Sequence, residues 1–234
     1  MNKQSKKNAA GNKGAALPSS EELLFASTRN ALLVESKHQQ IVNGACKVFF
    51  KKGFHPTTIR DIAKASGMSM GQLYHYIHSK DDVLYLVHKH LMKIWYDYLK
   101  RSGFEQIEDD DPVMKLRNAF SHTVEFMIEH KELVLFIFTE SKYLDRKHLR
   151  MLLDVYRKHI NRFWRGLLEG LNIQDQVVTG DLDTLAGLAG FTLLFPPLAG
   201  WTVGDKLEKR HLDTLVEFSM RGFGIGRGRP GKGD

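Results

Sequence analysis

Cysteine is almost absent: Cys46 stands alone in 234 residues. An intrachain disulfide is therefore excluded, and a reducing compartment is implied, so a cytoplasmic protein is expected. Cys46 lies in an apolar helical stretch beside Val48 and Phe49, which reads as a packed, inert thiol. Proline is scarce as well, with six residues, and glycine gathers near the two ends and in one late segment. The long uninterrupted stretches that remain favour helices. An apolar leader is missing from the first sixteen residues, which are rich in Lys, Asn and Gly, so no export signal is expected. The one charge-free stretch long enough to cross a bilayer, Thr184 to Gly204, is interrupted by Gly187, Gly190, Pro196, Pro197 and Gly200. A helix buried in a core or a subunit seam is the better reading, with no membrane partner. Nucleophile elbows, phosphate-binding glycine loops and HExxH are absent too, so neither an enzyme nor a cofactor is expected.

What is present is ordinary in amount and uneven in position. Hydrophobic residues make up 42% and charged residues 26%, enough to bury a core. The net charge is +7. Between Lys37 and Lys80 seven Lys or Arg face a single acid, Asp61, whereas residues 81–226 carry a slight acidic excess. A basic head on an acidic body points to a polyanionic partner for the head alone.

Residues 1–36 read as a polar arm followed by a short helix from Ser20 to about Ser36, capped by Ser19 or Ser20 and striped by Leu23, Leu24, Leu32 and Leu33. The lysines of the arm suit either a disordered leader or a minor-groove arm. Ile41, Ala45, Val48 and Phe49 then recur at the spacing of one buried helix face, and Gly53 stops that helix. Three capping signals follow in close succession: Thr58 with Asp61, Ser69 with Gln72, and Ser79 with Asp82. Gly67 supplies the turn between the first two. The pattern is short helix, turn, short helix, then a long helix, which is a helix-turn-helix over residues 37–82.

The run Phe49–Lys52, Gly53-Phe54, Thr57 to Ala63, Gly67-Met68-Ser69, Gly71 to Tyr74 and Ser79-Lys80 resembles the DNA-binding domain of the TetR family of transcriptional regulators, over about 37–85. Met70 stands where that family often has lysine, and Ile77 where it often has phenylalanine. The resemblance implies an all-α chain, in which a larger C-terminal helical domain, residues 83–226, pairs into a homodimer and binds a small molecule. Residues 227–234 read as a disordered tail.

In a helix-turn-helix the second helix enters the major groove while flanking residues hold phosphates. The candidate DNA contacts are therefore Thr57, Thr58, Ser69, Met70, Gly71, Gln72, Tyr74, His75, Tyr76 and Lys80. Gly71 allows close approach, Gln72 can bond a base edge, and Lys80 and the threonines can grip phosphates near helix N-termini. Leu73 faces inward with Ile62 and Ile77. The partner is double-stranded DNA carrying a palindromic operator.

Val83, Leu84, Val87, Leu91, Ile94 and Leu99 stripe a long helix that, by the resemblance, links head to body. Further helices are expected over 113–129, 132–143, 146–170, 181–195 and 208–223. Helices 113–170 supply candidates for an effector site: Phe120, His122, Val124, Met127, Phe136, Glu140, Tyr156 and Trp164. An acyl or aromatic effector suits them. His122, Glu125 and Glu140 could in principle form a metal site, but these residue types scatter routinely over helix surfaces, and no metal is expected. By the resemblance the last two helices form the dimer seam, with Leu185, Gly187, Leu188, Phe191, Leu212, Leu215 and Val216. The expected function is a ligand-responsive regulator, a repressor released by its effector. The rival readings are a ligand-independent DNA-binding or architectural protein and, more remotely, an enzyme.

Overall fold

A computed structural model describes residues 29–103, 111–172, 181–204 and 207–225. Every regular element among them is helical. The head comprises α1 (Arg29–Lys52), α2 (Ile59–Ala65) and α3 (Met70–Tyr76). The body comprises α4 (Lys80–Arg101), α5 (Pro112–Glu129), α6 (Lys131–Glu140), α7 (Arg146–Tyr156), α8 (Arg162–Asn172), α9 (Leu182–Thr192), α10 (Phe195–Ala199) and α11 (Lys209–Gly222). A 3-10 turn, Ser141–Tyr143, follows α6, and a π-helical turn, Arg157–Asn161, joins α7 to α8.

The head is built on the stripe of α1. Ile41, Val42, Ala45 and Phe49 are all buried, and they pack against Ile62, Leu73 and Ile77. At Gly53 the backbone turns left-handed, with φ of 82°, and its N–H closes on Phe49 O at 2.7 Å. Gly44 has a different task. A Cβ there would lie 2.2 Å from Ser66 Oγ and 2.6 Å from Ser66 N, so glycine lets α1 touch the end of α2. Gln40 seals that contact, its Nε2 donating to Ser66 O at 2.7 Å.

The short helix placed at 20–36 is corrected for its described part. Residues 20–28 lie outside the described residues, and from Arg29 the chain is already in the helix that runs to Lys52. No glycine or proline falls between 29 and 43, so nothing breaks the helix at residue 36.

The body is held by aromatic burial. Trp164 packs at 4.8 Å on Phe120 with the rings tilted by 42°, stacks on Trp95 at 6.4 Å, and meets Phe163 at 5.1 Å. Phe223, just past α11, closes on Phe120 at 5.6 Å. The Trp95 indole N–H finds Thr123 Oγ1 at 3.1 Å, which satisfies the one polar atom it carries inward. The helix expected over 181–195 divides, because Pro196 and Pro197 open a new helix, α10, bent by 44° from α9. No single described helix is long and apolar enough to cross a membrane.

Candidate nucleic-acid interface

Helices of seven residues, as α2 and α3 are, have no stability of their own. The start of each is fixed by a reciprocal cap, and a third such cap starts α4 directly after them. Thr58 Oγ1 accepts from Asp61 N while Asp61 Oδ2 accepts from Thr58 N. Ser69 and Gln72 repeat the exchange at 3.2 and 3.0 Å, and Ser79 and Asp82 at 3.1 and 2.8 Å. Asp61 is held at about 2, chiefly by its backbone and side-chain hydrogen bonds from Thr58, with Lys52 adding to both at 3.1 Å.

With its start fixed, α3 buries Leu73 and turns Ser69, Gly71, Gln72, Tyr74 and His75 outward. A Cβ at Gly71 would meet nothing within 4 Å, so the chain's own packing makes no demand for glycine there. Gln72 Oε1 is committed to the cap, which leaves its Nε2 as the group available to a base edge. Met70 and Tyr76 are only half-exposed. Met70 packs on the head core, and the Tyr76 ring meets His38 edge-on at 6.4 Å. Arg60 and Lys64, one turn apart on α2, are exposed beside this face, although neither was among the candidate contacts.

Two phosphate candidates have other bonds. Thr57 is buried, with its hydroxyl donating to Gly53 O at 2.7 Å, because a β-branched polar residue under the turn must satisfy its oxygen internally. Thr58, by contrast, is exposed. Lys80 Nζ donates to three carbonyls, Phe54 O at 2.9 Å, His55 O at 2.8 Å and Thr57 O at 3.0 Å, and lies 4.4 Å from the Phe54 ring centre. An ammonium has three donors, so all are used.

Two effector candidates belong to the joint between head and body. Phe136 stacks on Phe49 at 5.1 Å, and Glu140 Oε2 accepts from Phe54 N at 3.3 Å. Phe54 stacks on Tyr143 at 6.3 Å, and Asp145 N donates to Asp81 Oδ1 at 3.1 Å. The strongest tie is His148, buried on α7, whose Nδ1 lies 2.8 Å from Asp145 Oδ2 and whose Nε2 lies 2.6 Å from Asp82 Oδ1. Burial alone would depress this imidazole, but the hydrogen bonds to Asp82 and Asp145 outweigh it, and its pKa is raised. Asp82 is the same residue that caps α4. Its Oδ2 takes the N–H groups of His78 and Ser79, and its Oδ1 takes His148.

The remaining candidates are dispersed. Phe120, Val124 and Trp164 are solid core, Met127 is half-buried, and His122 is paired with Glu125 at 3.3 Å on the surface. Tyr156 meets His88 edge-on at 6.4 Å, and its hydroxyl is pushed up to about 12 by burial. His88 is itself pressed down to about 4 by burial, with Nε2 3.1 Å from Ser141 Oγ. No group of His, Cys, Asp and Glu among the described residues could hold a metal ion. Cys46 is pushed up to about 11 by burial, which suits an inert thiol. Of the seam candidates, Leu188 and Phe191 are exposed, Leu185, Gly187, Leu212 and Leu215 are half-exposed, and Val216 is buried in its own body core. Phe218 lies on the outer face of α11, 69% exposed.

A capped three-helix head with its third helix turned outward is a helix-turn-helix DNA-binding domain. Residues 41–85 match the bacterial regulatory proteins of the tetR family. The HTH-type transcriptional regulator HbdR of Aromatoleum sp. (strain CIB) is 34% identical over 102 residues, 43% of this chain. The alignment spans 43% of HbdR's own length. The HTH-type transcriptional repressor KstR2 of Mycolicibacterium smegmatis is 27% identical over 151 residues, 63% of this chain and 70% of that one. A crystal structure of AibR in complex with isovaleryl coenzyme A and operator DNA shares the fold, with a TM-score of 0.62 at 20% identity, over 78% of this chain and 97% of that one. Residues 41–85 thus carry a tetR-family helix-turn-helix, and the chain shares the fold of solved structures of tetR-family regulators.

Proposed function

We propose that this protein is a homodimeric, sequence-specific DNA-binding repressor whose hold on its operator is set by a small-molecule effector. The observation that carries the DNA-binding reading is the outer face of α3. Polar Ser69, Gln72, Tyr74 and His75 surround a glycine that nothing in the chain requires. Such a surface suits a groove that the backbone must approach closely. Pairing through α9 and α11 follows from the exposed Leu188, Phe191 and Phe218, large apolar groups that a lone chain would leave in water. KstR2 bears the name of a repressor, and AibR was crystallised with an acyl coenzyme A. These two support repression and an acyl-bearing effector here.

The test is selection from random duplexes followed by titration. A selected site should be a palindrome with half-sites about 34–36 Å apart. Gln72→Ala should relax preference at one position per half-site at a cost of roughly 1–3 kcal/mol. Phe218→Glu should give monomers by light scattering and abolish specific binding. Enrichment of no sequence above background would overturn the reading.

A further inference from the structure

His148, buried in the first turn of α7, lies between two carboxylates. Its Nδ1 is 2.8 Å from Asp145 Oδ2, and its Nε2 is 2.6 Å from Asp82 Oδ1 on α4. An ionised carboxylate only accepts hydrogen bonds, whereas a neutral imidazole has one N–H and one lone pair. A neutral ring here would therefore set its lone pair against one of the two oxygens at hydrogen-bond distance. The imidazolium, with an N–H on each side, satisfies both contacts at once. Donor counting alone assigns the charge.

The surroundings agree. Burial works against the Asp82 carboxylate, but its bonds from His148 and from the N–H groups of His78 and Ser79 outweigh it and hold it low. Asp145 is held low by the backbone and then the side-chain bond from His148. Tyr85 of α4 faces the imidazole with ring centres 6.2 Å apart, and burial pushes its phenol up, so it stays neutral. Asp81, also on α4, has its Oδ1 on Asp145 N at 3.1 Å. Arg146 and Lys147 flank the histidine on α7 and are exposed. Of the turns on either side of α7, the first holds Lys142 over the Tyr143 ring, and the π-turn holds Lys158 on Asp154 at 2.7 Å.

Asp82 carries the tie onward to α3. Its other oxygen, Oδ2, accepts from His78 N at 2.6 Å and from Ser79 N at 2.8 Å. These two residues follow directly on Ile77, the C-cap of α3. The ties of Phe136 to Phe49 and of Glu140 to Phe54 reach α1 and the turn after it, whereas Asp82 reaches the end of α3. If the ring loses its proton, one N–H remains for two carboxylates. Asp145 is anchored beside the ring by its own cap on His148 N at 2.8 Å, so the contact to Asp82 is the one free to open.

We propose that His148 is a positioning residue for α3: as an imidazolium it holds the end of that helix upon the body through Asp82, and loss of its proton loosens the hold, so that operator affinity falls as pH rises. A head free to turn gives up more freedom on binding, which weakens association. The ring's charge and its hold on α3 are independent of the DNA-binding reading, and only the effect on the operator rests on it.

The experiment follows the full chain without DNA by NMR, from about pH 6 to about pH 9. Both ring nitrogens of His148 should carry protons near pH 7, with a midpoint above the ordinary value of about 6.5. The Ser79 amide should shift with that same midpoint, and in His148→Gln it should lose that step. Asp82→Asn can still cap α4 but leaves Asp145 as the one carboxylate at the ring, so the midpoint should fall. Circular dichroism checks the folding of each variant, and either suffices if the other fails to fold. A neutral ring near pH 7, or a Ser79 amide that does not follow His148 in the wild type, would overturn the proposal. With a selected operator, affinity should fall over the same range by about fivefold more in the wild type than in His148→Gln. The variant is the reference because His75 and His78, beside the same face, are present in both proteins. An equal fall in the two, or a smaller one in the wild type, would also overturn it. Failure to select any operator would instead strike the DNA-binding reading and leave the NMR result to decide.

Discussion

Head and body solve the same problem with different means. The head starts both of its short helices, α2 and α3, with reciprocal capping boxes, a third box at Ser79 and Asp82 opens α4 where head meets body, and the head's largest buried side chains are phenylalanines. The body starts α5, α7 and α9 on a single aspartate each, Asp111, Asp145 and Asp181, and buries Trp95, Tyr96, Phe120, Phe126 and Trp164. A seven-residue helix has too little surface to be held by burial, so its ends must be set by directed bonds. Long helices with aromatic faces tolerate a looser end. The difference also suits the two tasks proposed for them, since a surface that reads base edges must be held to a fraction of an ångström, whereas a regulated body must be able to shift.

That contrast can be broken at its strongest point first. Trp164→Ala should cost roughly 3–5 kcal/mol through the cavity it leaves, seen as a lowered Tm in calorimetry. A loss under about 1 kcal/mol would mean the aromatic cluster does not hold the body. In the head, Gly44→Ala should cost about 1–3 kcal/mol, because its Cβ meets the backbone at Ser66 and not a movable chain end. A neutral or stabilising outcome in urea unfolding would show that α1 and α2 can part at no cost.

Lys80→Met sharpens the comparison, because it separates a structural tie from a DNA contact. With three carbonyls on its ammonium, the substitution should destabilise the head by about 1 kcal/mol. The slope of operator affinity against salt should stay unchanged, although affinity itself falls. A slope shallower by about 0.9 per half-site would instead make Lys80 a phosphate ligand.

The smallest effect concerns pH. His148 has a raised pKa, so its tie to Asp82 and Asp145 contributes fully below the ordinary histidine value and is lost as pH rises through the raised one. Asp82 and Asp145 are both held low, so they remain charged through this window. The Tm difference between the wild type and His148→Gln should therefore be greatest near pH 6 and shrink toward pH 9, by about 1 kcal/mol or less. The comparison with the variant matters because His38, His88, His90 and His130 are all depressed and pull the other way, losing stability as pH falls. A difference that grows with pH would reverse the assignment.

The capping boxes, the buried stripe of α1 and the inward Leu73 were legible because each is a local pattern of three to eight residues. The joint was not. His148 and Asp82 are 66 residues apart, and Phe54 and Glu140 are 86 apart, with no periodicity to connect them. Phe136 and Glu140 read as effector residues because an aromatic or acidic side chain on a body helix looks the same from either side of an interface. Thr57 and Lys80 carry bonds that their residue types do not announce, for a related reason. Both types suit phosphate, but the turn at 53–57 carries carbonyls that need donors first. One signal was available for the joint: Asp145 and His148 stand at the spacing of a helix cap, which marks His148 as held in place.

Asp82 has a consequence for exchange of domains between relatives. One carboxylate oxygen finishes the head by capping α4, and the other receives the body through His148. A chimera cut at this boundary takes both jobs with it. A transplanted head with asparagine at this position could still cap, but it would leave His148 facing Asp145 alone. A transplanted body without the histidine would free the head from α7. Interchangeable heads would thus have to travel with a matched partner near the start of α7, so a functional graft is defined by two segments 66 residues apart and not by one cut site.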